Sequence, residues 1–202
     1  MQQVVFKKII RFFLQKFYNN KKLFRPKVND FYLVSYPRSG NTWMTVMLSN
    51  ILYGTAGNSP KNLQYFIPDI HVSTKQKDVI PSDFNIIKSH YNCQDVIPGA
   101  PRKKKMKNII YLVRDPRDVV LSFYEYQKRL LPYKKGFNCF INDWLQGRFW
   151  PGSWREHVNS WLGDGNKEKN IIVVKYEDLK ENTRTKIKEI LNFIGVDARN
   201  RL

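Results

Sequence analysis

Phe31-Tyr32-Leu33-Val34-Ser35-Tyr36-Pro37-Arg38-Ser39-Gly40-Asn41-Thr42-Trp43 joins an apolar, strand-like run to a helix-like one through a turn holding Pro37 and Gly40. After the turn, Met44, Met47, Leu48, Ile51 and Leu52 recur at i, i+3, i+4, i+7 and i+8, one face of a helix starting near Asn41. The first N–H groups of a helix have no intrahelical partner, and the helix dipole is positive at that end. Gly40 lets backbone approach a ligand, and Arg38 adds a fixed charge. Strand, turn and helix therefore form a candidate phosphate cradle. It is not a Walker A loop, which needs a second Gly and a Lys. The alternative is a surface turn that binds nothing.

Outward from this turn, short apolar runs alternate with helical patterns. Strands are expected at Phe31–Ser35, Asn85–Lys88, Asn108–Val113 and Asn170–Lys175, all without clean alternation, as in a parallel sheet buried on both faces. Helices are expected at Asn41–Tyr53, Pro116–Leu131, Phe137–Leu145, Ser153–Leu162 and Thr183–Ile194. The fold class is α/β, a three-layer parallel sheet flanked by helices. Asp115 can cap a helix whose first residue is Pro116, Asp118 suits its dipole, and Gly195 stands where a C-terminal cap belongs.

The 202 residues are 42% hydrophobic, enough for one sizeable core, and the 13 Phe, 11 Tyr and 5 Trp argue against disorder. A formal net charge of +18 favours an anionic partner: nucleotide, nucleic acid, acidic polysaccharide or membrane surface. Cys93 and Cys139 have neither zinc-site nor disulfide-framework spacing, and no N-x-[ST] sequon occurs, which together point to a cytoplasmic setting. Val4, Val5, Phe6, Ile9, Ile10, Phe12, Phe13, Leu14 and Phe17 are interrupted by Lys7, Lys8, Arg11 and Lys16. Residues 1–18 thus read as a basic amphipathic helix, too charged to span a bilayer, that packs on its own domain or lies peripherally on an anionic membrane. Residues 1–29 are expected to form this helix and a linker, with the main domain over 30–202. Residues 98–105 read as a basic solvated loop.

In open α/β sheets, ligands bind beyond the carboxyl ends of the strands. Three stretches fall there: Ser35–Trp43, Lys88-Ser89-His90, and Arg114 with Ser122 two helical turns on. His90 can take a proton near neutral pH, and Lys88, two residues earlier, is expected on the same side. Such a pair suits transfer of an anionic group to a hydroxyl, although a structural histidine is the plainer reading of the tripeptide alone. Arg114 and Ser122 can hold a second phosphate, unless Arg114 instead pairs with Asp115 or Asp118. His71 and His157 are expected to serve structure, and no metal site is expected.

Taken together, these stretches resemble the PAPS-dependent sulfotransferase family. Tyr36-Pro37-Arg38-Ser39-Gly40-Asn41-Thr42-Trp43 is similar to its 5′-phosphosulfate loop, and Tyr111–Asp118 running to Ser122 is similar to its 3′-phosphate motif. Ile86-Ile87-Lys88-Ser89-His90 resembles the strand carrying its catalytic histidine, and segments at Ser153–Val158 and Val174–Asn182 resemble further family stretches. The resemblance implies a P-loop-like sulfotransferase fold with PAPS as co-substrate and PAP as product. It implies that Arg38, Ser39, Gly40, Asn41, Thr42 and Trp43 grip the 5′ side, Arg114 and Ser122 the 3′-phosphate, and Tyr176 the adenine. His90 would be the general base, with Lys88 and Arg38 stabilising charge. Arg38 stands where many soluble members carry Lys.

The chain ends at Leu202, before the R-K-G-x-x-G-x-x-K segment and the late dimerisation motif of soluble members. It reads as a compact variant or as a C-terminally shortened piece, with the oligomeric state open. The expected acceptor is a small molecule, lipid or carbohydrate, not a nucleic acid, with Gly54–Asp83 and Leu131–Pro151 lining its pocket. Tyr65, Phe66, Phe149 and Trp150 are the aromatics there. The competing reading is a non-catalytic module that binds nucleotide or a polyanion such as nucleic acid.

Overall fold

The structure, a computed structural model, describes residues 29–55, 63, 65–71, 84–95, 106–130, 133–163 and 169–198. The expectations for residues 1–18 and 98–105, and for most of 54–83, lie outside the described residues.

Four parallel strands, β1 (Phe31–Ser35), β2 (Ile86–Ser89), β3 (Asn108–Val113) and β4 (Asn170–Lys175), form one sheet in the order β2-β1-β3-β4. The described helices are α1 (Asn41–Tyr53), α2 (Pro116–Leu130), α3 (Phe137–Leu145), α4 (Trp154–Leu162), α5 (Tyr176–Glu181) and α6 (Thr183–Phe193). The expected three-layer α/β architecture is observed. Strand side chains alternate faces. Leu33, Ile110 and Leu112 pack with Met44 and Leu48 of α1 and with Ile187, Ile190 and Leu191 of α6, whereas Tyr32, Val34, Ile109 and Tyr111 face Trp161 of α4. A third cluster joins Tyr36 to Val119 and Phe123 of α2 and to Phe140 and Trp144 of α3.

Several boundaries differ from expectation. β2 runs one residue later, because Asn85 turns aside and donates its backbone N–H and side-chain amide to Asp30 Oδ1, both at 2.8 Å. β4 is an edge strand, so Val173 is exposed rather than covered on both faces. Helix α5 was not expected: its six residues are too few to display a helical period. Ser153 caps α4 from outside rather than belonging to it, in a capping box with Glu156.

The capping expectations hold. Asp115 Oδ1 accepts the Arg117 N–H at 2.8 Å, with Pro116 as the first helical residue. Gly195 has φ 76°, its N–H reaching Asn192 O and that of Val196 reaching Leu191 O, a Schellman motif closing α6. Because β1, β2 and β3 pair in parallel, they release the chain at one end of the sheet.

Candidate active site

The turn after β1 holds two left-handed residues, Arg38 at φ 72° and Gly40 at φ 95°. That conformation costs an arginine on the order of 1 kcal/mol, and such strain concentrates where a ligand is clamped. Gly40 is the N-cap of α1 and has no side-chain cap, and the first turn carries no acid. The open N–H groups and dipole are therefore left for an anion. Gly40 is also required sterically: a Cβ there would lie 2.6 Å and 2.8 Å from ring carbons of Tyr176.

Tyr176, the first residue of α5, is brought against this turn by β4. Its ring contacts Trp43 edge-on, with centroids 5.5 Å apart, and the Arg114 guanidinium lies 4.4 Å from its centroid. Such cation–π contacts are worth about 0.5–2 kcal/mol. Arg114, at the end of β3, donates to the Arg38 carbonyl at 3.3 Å, and Arg38 Nε donates to Ser122 Oγ at 3.2 Å. The cradle and the Arg114/Ser122 pair thus face the same side of the molecule. Arg114 also reaches Asp118 at 3.5 Å, while Asp115 is taken by Arg117, so the ion-pair alternative is present but long.

Three buried polar atoms at the cradle, Ser39 Oγ, Asn41 Oδ1 and Arg114 Nε, have no hydrogen-bond partner among the described residues. Burying such groups unpaired is costly, and the two that can donate, Ser39 Oγ and Arg114 Nε, suit an anionic ligand. Partial burial is the largest cause lowering the Arg38 guanidinium pKa; Tyr126 opposes it, and Arg129 and Arg114 push the same way as burial. An anion would relieve this crowding of cations. Asn41 is placed differently from its neighbours: its side-chain amide donates to Ser35 Oγ at 3.0 Å and to the Leu33 and Ser89 carbonyls, tying α1 to the ends of β1 and β2. Thr42 is exposed.

His90 follows β2. Its Nδ1–H donates to the Ser35 carbonyl at 2.7 Å, which assigns the proton to Nδ1 and leaves Nε2 as the basic nitrogen. Burial, then Lys88, pushes its pKa down to about 4, against the opposing bond to Ser35. Lys88 pairs with Asp69 at 2.9 Å, both largely buried. This partner was not legible in the sequence: residues 68–70 lie along β2, with Lys88 N–H donating to the Pro68 carbonyl and Ile70 N–H to the Lys88 carbonyl.

That same segment brings His71, expected to serve structure, against His90. Its ring is nearly parallel to that of His90 at 5.7 Å, and its Nε2 accepts the His90 backbone N–H at 2.7 Å. Trp150 closes the group, its ring 4.8 Å from His71 and 6.3 Å from His90. Of the other aromatics expected at the acceptor pocket, Phe149 stacks on Phe140 and Phe66 on Tyr53. His157 is buried beside Tyr111, as a structural histidine would be. Among the described residues, no group of three or more His, Cys, Asp or Glu side chains could hold a metal ion, and no helix is long and apolar enough to cross a membrane.

Comparison with known proteins gives this arrangement its family. The pattern described as Sulfotransferase domain matches residues 28–201. Sulfotransferase 1E1 of Bos taurus is 31% identical over 201 residues, covering 94% of this chain and 66% of that protein. Sulfotransferase 1 family member D1 of Mus musculus is 31% identical, covering 86% and 61%. Among solved structures, mouse sulfotransferase SULT7A1 complexed with PAP superposes with a TM-score of 0.63 at 28% identity, covering 86% of this chain and 60% of that one. The chain therefore spans somewhat under two thirds of the length of these relatives. With a match along nearly its whole described length and a cradle, a cation pair and a histidine gathered at one sheet end, the chain belongs to the sulfotransferase domain family.

Proposed function

We propose that the protein transfers a sulfuryl group from PAPS to a hydroxyl or amine of a small acceptor and releases PAP. The observation that carries this reading is the Arg114–Arg38–Ser122 chain of contacts beside the uncapped start of α1. Arg38, Ser39, Gly40 and the first N–H groups of α1 bind the 5′ side, with Thr42 and Trp43 at its margin. Asn41 acts there by bracing the loop. Arg114 and Ser122 take the 3′-phosphate, and Tyr176 contacts the adenine. Ser39 Oγ and Arg114 Nε gain the partners they otherwise lack.

The acceptor oxygen forms its bond to sulfur as the sulfur–oxygen bond to PAP breaks, and the acceptor proton passes to His90 Nε2. Neutral at pH 7, His90 is in the form a base requires. Arg38 and Lys88 stabilise the negative charge that develops, Arg38 as a fixed cation rather than a proton donor. Trp150 and His71 flank the approach to His90 and suit an acceptor with a flat or apolar face, such as a phenol or lipid, with a carbohydrate as the further class.

The runner-up is a module that binds nucleotide or polyanions without catalysis, kept by the +18 charge. Calorimetry separates the two. The transferase binds PAP without Mg²⁺ and turns over labelled PAPS against a panel of phenols, lipids and sugars. The polyanion module binds long polyanions with an affinity that collapses as salt rises. Failure to bind PAP would overturn the transferase reading.

A further inference from the structure

We infer that His71 is a positioning residue for His90, holding that residue's backbone by accepting its N–H at Nε2. The inference deepens the transferase reading and rests on it for its kinetic consequence.

Two bonds set where His90 stands. One is the Nδ1–H bond to the Ser35 carbonyl, which orients the ring. The other is the 2.7 Å bond from its own backbone N–H to His71 Nε2, which fixes the point where the chain leaves β2. Without it, a backbone donor in a half-buried site would lack its partner. His71 is itself held: its N–H donates to Asp69 Oδ1 at 2.9 Å, and Asp69 Oδ2 pairs with Lys88. The ring is wedged between His90, Tyr91 (centroids 4.3 Å apart) and Trp150. Asp69, Ile70 and His71 thus form a rail along β2 that ends on His90.

The acceptor role requires a neutral ring with its proton on Nδ1. Protonation of Nε2 would set donor against donor and place a second cation beside Lys88. Among the described residues, the charged and titratable groups facing His71 are Asp69 on its own segment, Lys88 and His90 from β2 and its end, and Tyr91. Burial, aided by Lys88 and opposed by Asp69, keeps His71 neutral down to about pH 4. The bond is therefore made throughout the neutral range.

The test compares His71→Gln, which keeps an acceptor, with His71→Phe, which keeps a packed ring without one. In the folded protein, His71→Phe is expected to lower kcat about 10- to 100-fold, as displacement of a reacting group does. The KM for PAPS should change by less than about threefold, because among the described residues the bonds and ring contacts of His71 go to Asp69, His90, Tyr91 and Trp150 and not to Arg38, Arg114 or Ser122. His71→Gln should restore kcat to within about threefold of the parent, since its amide oxygen can accept the same bond. Independently of turnover, NMR at pH 7 should show a 15N–15N coupling across the hydrogen bond between the His90 backbone nitrogen and His71 Nε2 in the parent, lost in both variants.

Equal loss of kcat in both variants, or none in either, would overturn the inference, as would a parent spectrum without the coupling across the bond. If His71→Phe fails to fold, the coupling in the parent and its loss in His71→Gln decide alone. If the parent turns over no acceptor, the transferase reading falls, and the coupling still supports or overturns the placement of His90 by His71.

Discussion

Arg38 Nε donates to Ser122 Oγ at 3.2 Å, across 84 residues of sequence, so the loop after β1 and the second turn of α2 form one continuous surface. With Arg114 bonded to the Arg38 carbonyl, the three residues act as a unit, and nucleotide affinity should depend on all of them. Arg114→Ala is expected to weaken PAP binding about 10- to 100-fold, the worth of hydrogen bonds to a charged group. Ser122→Ala should cost about tenfold or less. Isothermal calorimetry at fixed salt measures both, and unchanged affinity in Arg114→Ala would refute the assignment.

His90 touches none of these residues, so its loss should separate chemistry from binding. His90→Ala is expected to reduce kcat by about 10²–10⁴ while PAP affinity stays within about threefold. Parallel loss of affinity would mean that His90 belongs to the nucleotide cradle instead.

Gly40 has no room for a side chain. In Gly40→Ala the new Cβ must displace the Tyr176 ring and adopt φ near +95°, so a loss of about 1–3 kcal/mol is expected. Pairing it with Tyr176→Ala should recover part of that loss, since the clash is removed but the backbone strain remains. Urea unfolding of the two single variants and the double variant reads the coupling; strict additivity would contradict the contact.

The three histidines make folding acid-sensitive. His71 and His90 are held down to about 4 and His157 to about 3, in each case chiefly by burial, from an ordinary value near 6.5. The unfolded chain binds protons at these rings as pH falls below 6.5, whereas the folded chain does not until near 4. Their stabilising contribution is thus complete above pH 6.5 and is lost on descent toward 4. A loss on the order of 1–2 kcal/mol per histidine between pH 7 and 5 is expected from linkage. Denaturant titrations at pH 7, 6 and 5 check it, and a flat profile would contradict neutral burial.

Much of the architecture was legible beforehand because its signals are local. Four apolar runs bounded by turn residues, the Asp115–Pro116 start of α2 and the Gly195 stop of α6 are each set by neighbours a few positions away. Arg38, Lys88, His90, Arg114 and Ser122 could be nominated because parallel strands release their chemistry at one end. Helix α5 was missed for want of length, and His71 because 19 residues separate it from His90, with no periodic pattern between them.

What the chain decided by itself was the order of strands and helices, the places where helices start and stop, and the residue types offered at each strand end. Backbone preferences and hydrophobic period act over one or two turns, so they can be read along the chain. Only the folded arrangement decided that Asp69 pairs with Lys88, that Tyr176 fills the space over Gly40, and that His71 bonds the backbone of His90. Those contacts arise from the register of distant segments across a sheet, where pairing geometry rather than sequence proximity selects the neighbour.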